Sequence, residues 1–300
     1  MKITKYAAID VGSNAIRMLI SNVIFQDNKF FIFKNSLIRL PIRLGEDSFT
    51  KGYISEPKII DLIDAFKSFK LIMKIHKIFT LKVYATSALR ESSNKKYIID
   101  RVFNECKIKI ELINGIKEAL VISKTNIFKN LDYKTYLYVD VGGGSTELSI
   151  IKKSKKKLSK SFKLGTVRII NSNKENEEWK KMEEWIKNNL NKNSKVYLLG
   201  TGGNINKIHK LTNTKEGKPI TYLILSKLFQ KLNSLSYNQR IIDLGLNPDR
   251  SDVIIPAIKI YLNLLFWSGS KVIHVPQTGL ADGMIREIVE ENSIKTPNQR

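Results

Sequence analysis

Asp10-Val11-Gly12-Ser13-Asn14 and Asp140-Val141-Gly142-Gly143-Gly144-Ser145-Thr146 are two versions of one phrase. Each follows an apolar run, Tyr6–Ile9 in the first case and Tyr136–Val139 in the second. Each reads as a buried strand that ends in an Asp and a small-residue turn, after which a second strand starts. Glycines let backbone N–H groups curl around an anion with no Cβ in the way. Ser13, Asn14, Ser145 and Thr146 add side-chain donors, and Asp10 or Asp140 suits a hydrated Mg²⁺. An ordinary hairpin turn is the alternative for either loop. The recurrence of the pattern predicts a duplicated domain with a phosphate chain held between the halves.

The bulk properties leave room for this plan. The chain has 300 residues, a mass of 34.4 kDa and 42% hydrophobic residues, enough for two globular domains with cores. No apolar run is expected to span a bilayer, and Asp10 interrupts the apolar stretch that follows Lys2 and Lys5, which makes that stretch a core strand and not a signal peptide. The single cysteine, Cys106, excludes an intrachain disulfide and fits a cytoplasmic location. Lys and Arg outnumber Asp and Glu by 51 to 28, a net charge of +23 with pI near 9.8. Such a surface attracts polyanions. Compositional drift toward Lys, Asn and Ile explains most of the excess, and the longest basic run, Lys152–Lys163, reads as a solvated hairpin tip without the interleaved aromatics of a nucleic-acid groove. Nucleic acid is therefore not the expected partner.

Along the first half, the pattern predicts strands at Tyr6–Asp10, Ile16–Phe25 and Phe30–Leu40, with a polar turn at Gln26–Lys29. A helix opens at Ser55-Glu56-Pro57 and carries Ile59, Leu62, Ile63, Phe66, Phe69, Ile72 and Ile75 on one face. A strand at Lys82–Ala85, a helix at Lys95–Cys106 and a strand at Ile108–Ile113 follow. The second half repeats the order: strands Tyr136–Asp140, Thr146–Ile151 and Leu158–Leu164, a helix Trp179–Leu190, a strand Val196–Leu199 running into Gly200-Thr201-Gly202-Gly203, and a helix from Asn204. Helices at Leu223–Leu235, Gln239–Leu244 and Arg250–Trp267, a strand at Lys271–Val275 and a helix at Leu280–Glu291 complete the chain. The class is α/β with a βββαβαβα order in each half. Domains are expected at 1–126 and 127–279, with a hinge near residue 127 and the final helix, 280–300, free to pack back on the first.

With these elements in place, the motifs resemble the exopolyphosphatase and guanosine pentaphosphate phosphohydrolase family, over most of the chain. Ala8–Asn14 with Arg17 looks like its first phosphate loop, and Ala85-Thr86-Ser87-Ala88-Leu89-Arg90 like its Arg-bearing turn. Gly115 with Glu118-Ala119 looks like its catalytic glutamate segment, and Asp140–Thr146 with Glu147 is similar to its second phosphate loop. Leu164–Arg168, Asn247–Ile254 and Gly279–Gly283 complete the set in order. The resemblance implies two duplicated actin-like, ribonuclease H-like domains with an interdomain cleft. There are departures: Lys117 stands where the family often has an acidic residue, the Gly-Val usual downstream is missing from Leu120–Asn126, and Ala281 replaces a commonly basic residue. The chain looks like the family's short form, without the C-terminal extension of its long members.

What the resemblance implies for chemistry is the Mg²⁺-dependent release of terminal phosphate from inorganic polyphosphate, with guanosine pentaphosphate as the rival substrate. A non-catalytic polyphosphate or alarmone sensor and an actin-like kinase are further alternatives. Asp140 and Glu147 bracket the second loop and are expected to hold the metal and its water, with Asp10 on a metal-bound water. Turn capping is the plain alternative for Asp140, and a solvated strand position for Glu147. Glu118 is the implied general base, although by spacing alone it reads as an exposed glutamate at a helix start. Arg90 is the expected phosphate clamp. Gly143 and Gly144 add backbone donors to those of Ser13, Asn14, Ser145 and Thr146. Arg17 reaches a distal phosphate or base, or only snorkels from an edge strand. Gly202 and Gly203 cradle a further phosphate, or simply form a tight strand-to-helix turn. His76, His209 and His274 show no metal-ligand spacing. Homodimerisation through 250–267 or the last helix is left open.

Overall fold

The computed structural model describes residues 3–27, 29–125, 134–152, 155–171, 175–191 and 195–294. It contains two compact units. The first runs to Thr125 and takes back the chain from Gly279 onward; the second occupies the stretch between, up to Thr278. The hinge expected near residue 127, the tip of the basic run at 153–154 and the end of the last helix at 295–300 lie outside the described residues.

The first unit is built from β1 (Ile3–Val11), β2 (Ile16–Gln26), β3 (Lys29–Leu40), α1 (Leu44–Thr50), α2 (Glu56–His76), β4 (Leu81–Ala85), α3 (Ser87–Glu91), α4 (Lys95–Cys106), β5 (Glu111–Leu112) and α5 (Gly115–Ser123). Its sheet has the order β3-β2-β1-β4-β5. β1 pairs antiparallel with β2 and parallel with β4. The second unit contains β6 (Thr135–Val141), β7 (Thr146–Lys152), β8 (Lys155–Phe162), α6 (Thr166–Asn171), α7 (Glu175–Asn189), β9 (Val196–Thr201), α8 (Gly203–Leu211), β10 (Ile220–Thr221), α9 (Tyr222–Ser234), α10 (Tyr237–Ile242), α11 (Pro248–Ser251), α12 (Ile254–Ser268) and β11 (Val272–His274). Read from β8, its sheet runs β8-β7-β6-β9-β11-β10, the first unit's order with one edge strand added. The final helix, α13 (Leu280–Ile294), belongs to the first unit.

The central strands are buried on both faces, as a sheet covered by helices requires. Ala7, Ala8, Ile9 and Val11 of β1 and Leu137, Tyr138, Val139 and Val141 of β6 are all buried. Around β1 the first core collects Ile59, Leu62, Ile63, Phe66 and Phe69 from α2. Ile75, expected on the same face, is 78% exposed, because at about 100° per residue it falls on the side of α2 opposite Ile59, Ile63 and Phe66. Around β6 the second core collects Met182 and Ile186 from α7 and Ile258, Tyr261 and Leu265 from α12.

Several expected elements take a different form. The strand expected at Ile108–Ile113 is paired only at Glu111–Leu112, although Ile108, Ile110 and Ile113 are still buried. The strand expected at Leu158–Leu164 is shifted toward the turn, to Lys155–Phe162. The single helix expected over Arg250–Trp267 is two helices, α11 and α12. Pro256 explains the break: it has no N–H for the carbonyl of residue 252 and its ring crowds that carbonyl. The stretch Pro248–Ser268 is nonetheless long and apolar enough to cross a membrane by length and composition, contrary to the expectation that no run would be. Half of its most apolar window is buried inside the protein, so it serves as the core helix of the second unit. The short helices α1 and α3 were not expected at all.

Candidate active site

Each sheet presents its signature turn in the same way. In the first unit the Gly12 N–H donates to the Ala15 carbonyl at 3.2 Å, and Asp10 stands opposite Arg17 in the ladder. In the second the Gly142 N–H donates to the Ser145 carbonyl at 2.9 Å, and Asp140 stands opposite Glu147.

A short helix fixes each turn from behind. The Gly45 and Arg43 N–H groups donate to the carbonyls of Ser13 (2.8 Å) and Asn14 (3.1 Å). In the second unit, Thr166 N–H donates to Gly142 (3.0 Å), and Val167 and Arg168 N–H both donate to Gly143 (2.8 and 3.1 Å). The Arg168 Nε adds a bond to the Gly144 carbonyl at 2.8 Å. In a planar trans peptide the N–H points opposite to the preceding C=O. Turning the carbonyls of 142, 143 and 144 toward α6 therefore turns the amides of Gly143, Gly144 and Ser145 the other way, as a concave anion site requires. The same holds for Asn14 and Ala15 in the first unit. Close docking demands glycine in the helix lead-in. A Cβ on Gly165 would lie 2.4 Å from the Gly144 carbonyl carbon, and one on Gly45 would lie 3.0 Å from Ser13 Cβ. Gly45 is a functional residue that sequence reading missed; the repeated Leu-Gly, Leu44-Gly45 and Leu164-Gly165, was the available signal.

In the first unit, Ser13 Oγ lies 3.0 Å from Ser87 Oγ, so the loop is tied to the start of α3. Arg90, on α3, donates to the Ile113 carbonyl and lies 3.8 Å from Glu91. It thereby braces the segment that enters α5. Asn114 caps that helix, its side chain accepting from Lys117 N–H at 2.8 Å, and Glu118 sits half-buried in the first turn. Arg17 does not simply snorkel: its Nη1 is 3.0 Å from Asp10 Oδ2. Burial raises the Asp10 carboxyl above its ordinary value, and the Arg17 charge and hydrogen bond only partly offset that.

In the second unit, Asp140 and Glu147 are direct cross-strand neighbours and so share a face of the sheet. Glu147 is 3% exposed, which rules out the solvated strand position. Ser145 and Ser161 hydroxyls both donate to its Oε1, at 2.6 and 2.9 Å. Asp140 is also buried, and a Cβ on Gly202 would fall 2.4 Å from its Oδ1. Gly202 also has φ +89, and the residue after it starts α8. The Gly202 turn thus leaves the space that the Asp140 carboxylate fills. Tyr261, fully buried, has its hydroxyl pushed well up by burial first and the neighbouring Asp140 charge second. The Thr146 side chain was expected as a phosphate donor. Instead it points to the other side of β7, is fully buried and donates to the Leu164 carbonyl, so it braces the loop. Asn204 and Arg250 were also missed. Asn204 Nδ2 donates to the Val141 carbonyl at 2.8 Å, and buried Arg250 donates to Asn204 Oδ1 at 2.9 Å.

Among the described residues there is no cluster of three or more His, Cys, Asp or Glu side chains suited to a metal. A pair of buried hard-oxygen donors on one face of the sheet still fits Mg²⁺. That ion keeps several waters and takes only one or two carboxylates when phosphates complete its shell.

The duplicated sheets with these turns define an actin-like ATPase fold, and the sequence comparisons agree. The profile of the Ppx/GppA phosphatase family matches residues 32–292, and the chain belongs to that family. A bifunctional 3-dehydroquinate synthase/phosphatase of Fusobacterium nucleatum is 32% identical over 95% of this chain and 46% of its own length. Exopolyphosphatase 1 of Mycobacterium tuberculosis is 25% identical over 55% of this chain and 47% of its own. The chain thus spans about half the length of these curated relatives. Among solved structures, an exopolyphosphatase from Cytophaga hutchinsonii superposes with a TM-score of 0.82 at 22% identity, covering 96% of this chain and 98% of that one.

Proposed function

We propose that this chain is a Mg²⁺-dependent phosphohydrolase that releases terminal phosphate from inorganic polyphosphate. The observation that carries the reading is the pair of buried carboxylates, Asp140 and Glu147, side by side behind a turn whose amides face outward. Two carboxylates so close call for a cation, and outward amides call for an anion. Magnesium phosphate supplies both.

Asp140 and Glu147 would hold the metal, which when bound neutralises charge on the phosphate oxygens. The Gly143, Gly144 and Ser145 amides of the second unit bind phosphate oxygens, and within the first unit the Asn14 amide is a like anion donor. Arg90 orders the entry to α5 and is the clamp candidate. Glu118 takes a proton from the attacking water as its oxygen bonds to the terminal phosphorus. The bridging P–O bond breaks, and the shortened chain leaves with the electron pair.

Phosphate release from inorganic polyphosphate and from guanosine pentaphosphate, measured side by side with Mg²⁺, tests the proposal. Faster release from polyphosphate is expected. Release from the nucleotide alone moves the assignment to a guanosine pentaphosphate 5'-phosphohydrolase. Binding of either compound without turnover makes the protein a sensor. Replacing Glu118 by Gln should cut turnover by roughly 10²–10⁴-fold with ligand affinity largely kept. Full activity in that variant removes the base assignment.

A further inference from the structure

Glu287, on α13, lies outside the phosphate loops. Its side chain is 4% exposed, and its two oxygens are shared between two elements. Oε1 faces α5, with Lys117 Nζ at 3.0 Å and Lys124 Nζ at 3.4 Å. Oε2 faces β4, accepting from the Tyr84 hydroxyl at 2.7 Å with Lys82 Nζ at 3.5 Å. Burial alone would raise the Glu287 carboxyl. The bonds from Tyr84 and Lys117 and the charge of Lys82 outweigh it and hold the carboxyl below its ordinary value.

The contact between α13 and α5 is helical in its spacing. Lys117 and Val121 of α5 and Lys124, its C-cap residue, follow one helical face, and Gly283, Glu287 and Glu290 lie on one face of α13. Gly283 lets the two backbones close up: a Cβ there would lie 2.2 Å from the Val121 carbonyl oxygen. Lys124 adds a bond to Glu290 at 2.7 Å. A helix held along one face by a backbone contact and three ion pairs resists turning about its axis. Lys117 immediately precedes Glu118, so the same grip fixes where the Glu118 side chain leaves the helix.

We infer that Glu287 is a positioning residue for the hydrolysis, acting through Lys117 and Lys124 to set the rotation of α5 and hence the direction of Glu118. The kinetic part rests on the reading of Glu118 as general base; the anchoring of α5 does not. The pairing also gives Lys117 a role. The lysine beside Glu118 in the sequence is complemented from α13.

The test uses the full chain with Glu287→Gln and, in case that variant fails to fold, Lys117→Met, which keeps the buried carboxylate and its other partners. Amide hydrogen exchange across 115–123 is expected to speed up in either variant. With inorganic polyphosphate and Mg²⁺, kcat should fall about 10–100-fold while KM stays within about twofold, because a displacement of about 1 Å at a reacting group costs on that order. The double variant should be no slower than the worse single one, since both cut one link. Unchanged exchange in 115–123 overturns the anchor. Unchanged kcat alongside an inactive Glu118→Gln enzyme overturns the coupling to chemistry. If Glu118→Gln is fully active, the base assignment falls and the exchange measurement alone decides the anchor.

Discussion

The two units fold the same hairpin around different charges. In the first, Asp10 meets Arg17 across the strands; in the second, at the same register, Asp140 meets Glu147. The backbone is held alike in both, by a glycine N–H closing the turn and a short helix behind it. The first hairpin therefore carries a carboxylate–guanidinium pair, whereas the second sets two carboxylates side by side, the pair proposed above to hold Mg²⁺. Duplication supplied the shape twice, and the residue opposite the Asp sets the difference in charge between the copies, on which the proposed metal role of the second depends. Asp10 consequently fits a supporting position better than a direct ligand.

That contrast can be broken first at its acidic end. Glu147→Gln should lower turnover by about 10²-fold or more, since a bound metal supplies several kcal/mol of charge stabilisation. Asp140→Asn should shift the Mg²⁺ midpoint of activity up by about 10–100-fold. An unchanged Mg²⁺ titration in both variants would refute the metal role.

Removing the internal cation tests the other copy. Arg17→Gln leaves a buried carboxylate without its partner, at a cost of about 1–3 kcal/mol. Asp10 is already raised by burial, and losing Arg17 raises it further. The folded state then binds a proton more readily than the unfolded chain, so the deficit is largest at neutral pH and shrinks as pH falls through the raised value. Thermal unfolding of wild type and variant at two pH values reads this directly. A gap that widens on acidification would contradict it.

The smallest effect sharpens the comparison of backbones. A Cβ at Gly165 meets main-chain carbon at 2.4 Å, whereas one at Gly45 first meets the edge of the Phe49 ring at 2.7 Å, which can swing aside. Gly165→Ala should cost roughly 2–3 kcal/mol and Gly45→Ala nearer 1 kcal/mol, measured as unfolding midpoints. Equal midpoints would mean that the two turns are seated with equal tightness.

The repeated strand–Asp–glycine phrase was legible because continuous apolar runs and small-residue turns are local signals, and β2, β6 and β7 begin and end close to where the pattern puts them, with β1 starting three residues earlier. The short helices α1 and α3 were not, since seven and five residues hold too few turns to establish an amphipathic repeat. Pro256 did mark the break between α11 and α12, but its effect falls four residues upstream, where a reader of helix periodicity does not look. Among site residues, Asp140 and Glu147 could be named from the sequence, while the second-line contacts of Asn204, Arg250 and Ser161 could not.

By itself, the sequence determined the duplicated α/β plan, the two turns and the family, because these depend on residue type and on spacing over a few positions. Only the tertiary structure decided that Asp10 is paired with Arg17, that Thr146 faces away from the loop and that Glu287 grips α5 from helix α13. Those outcomes depend on which side chains strand register and helix contact bring within hydrogen-bonding reach, and a linear pattern does not encode distances between residues far apart along the chain.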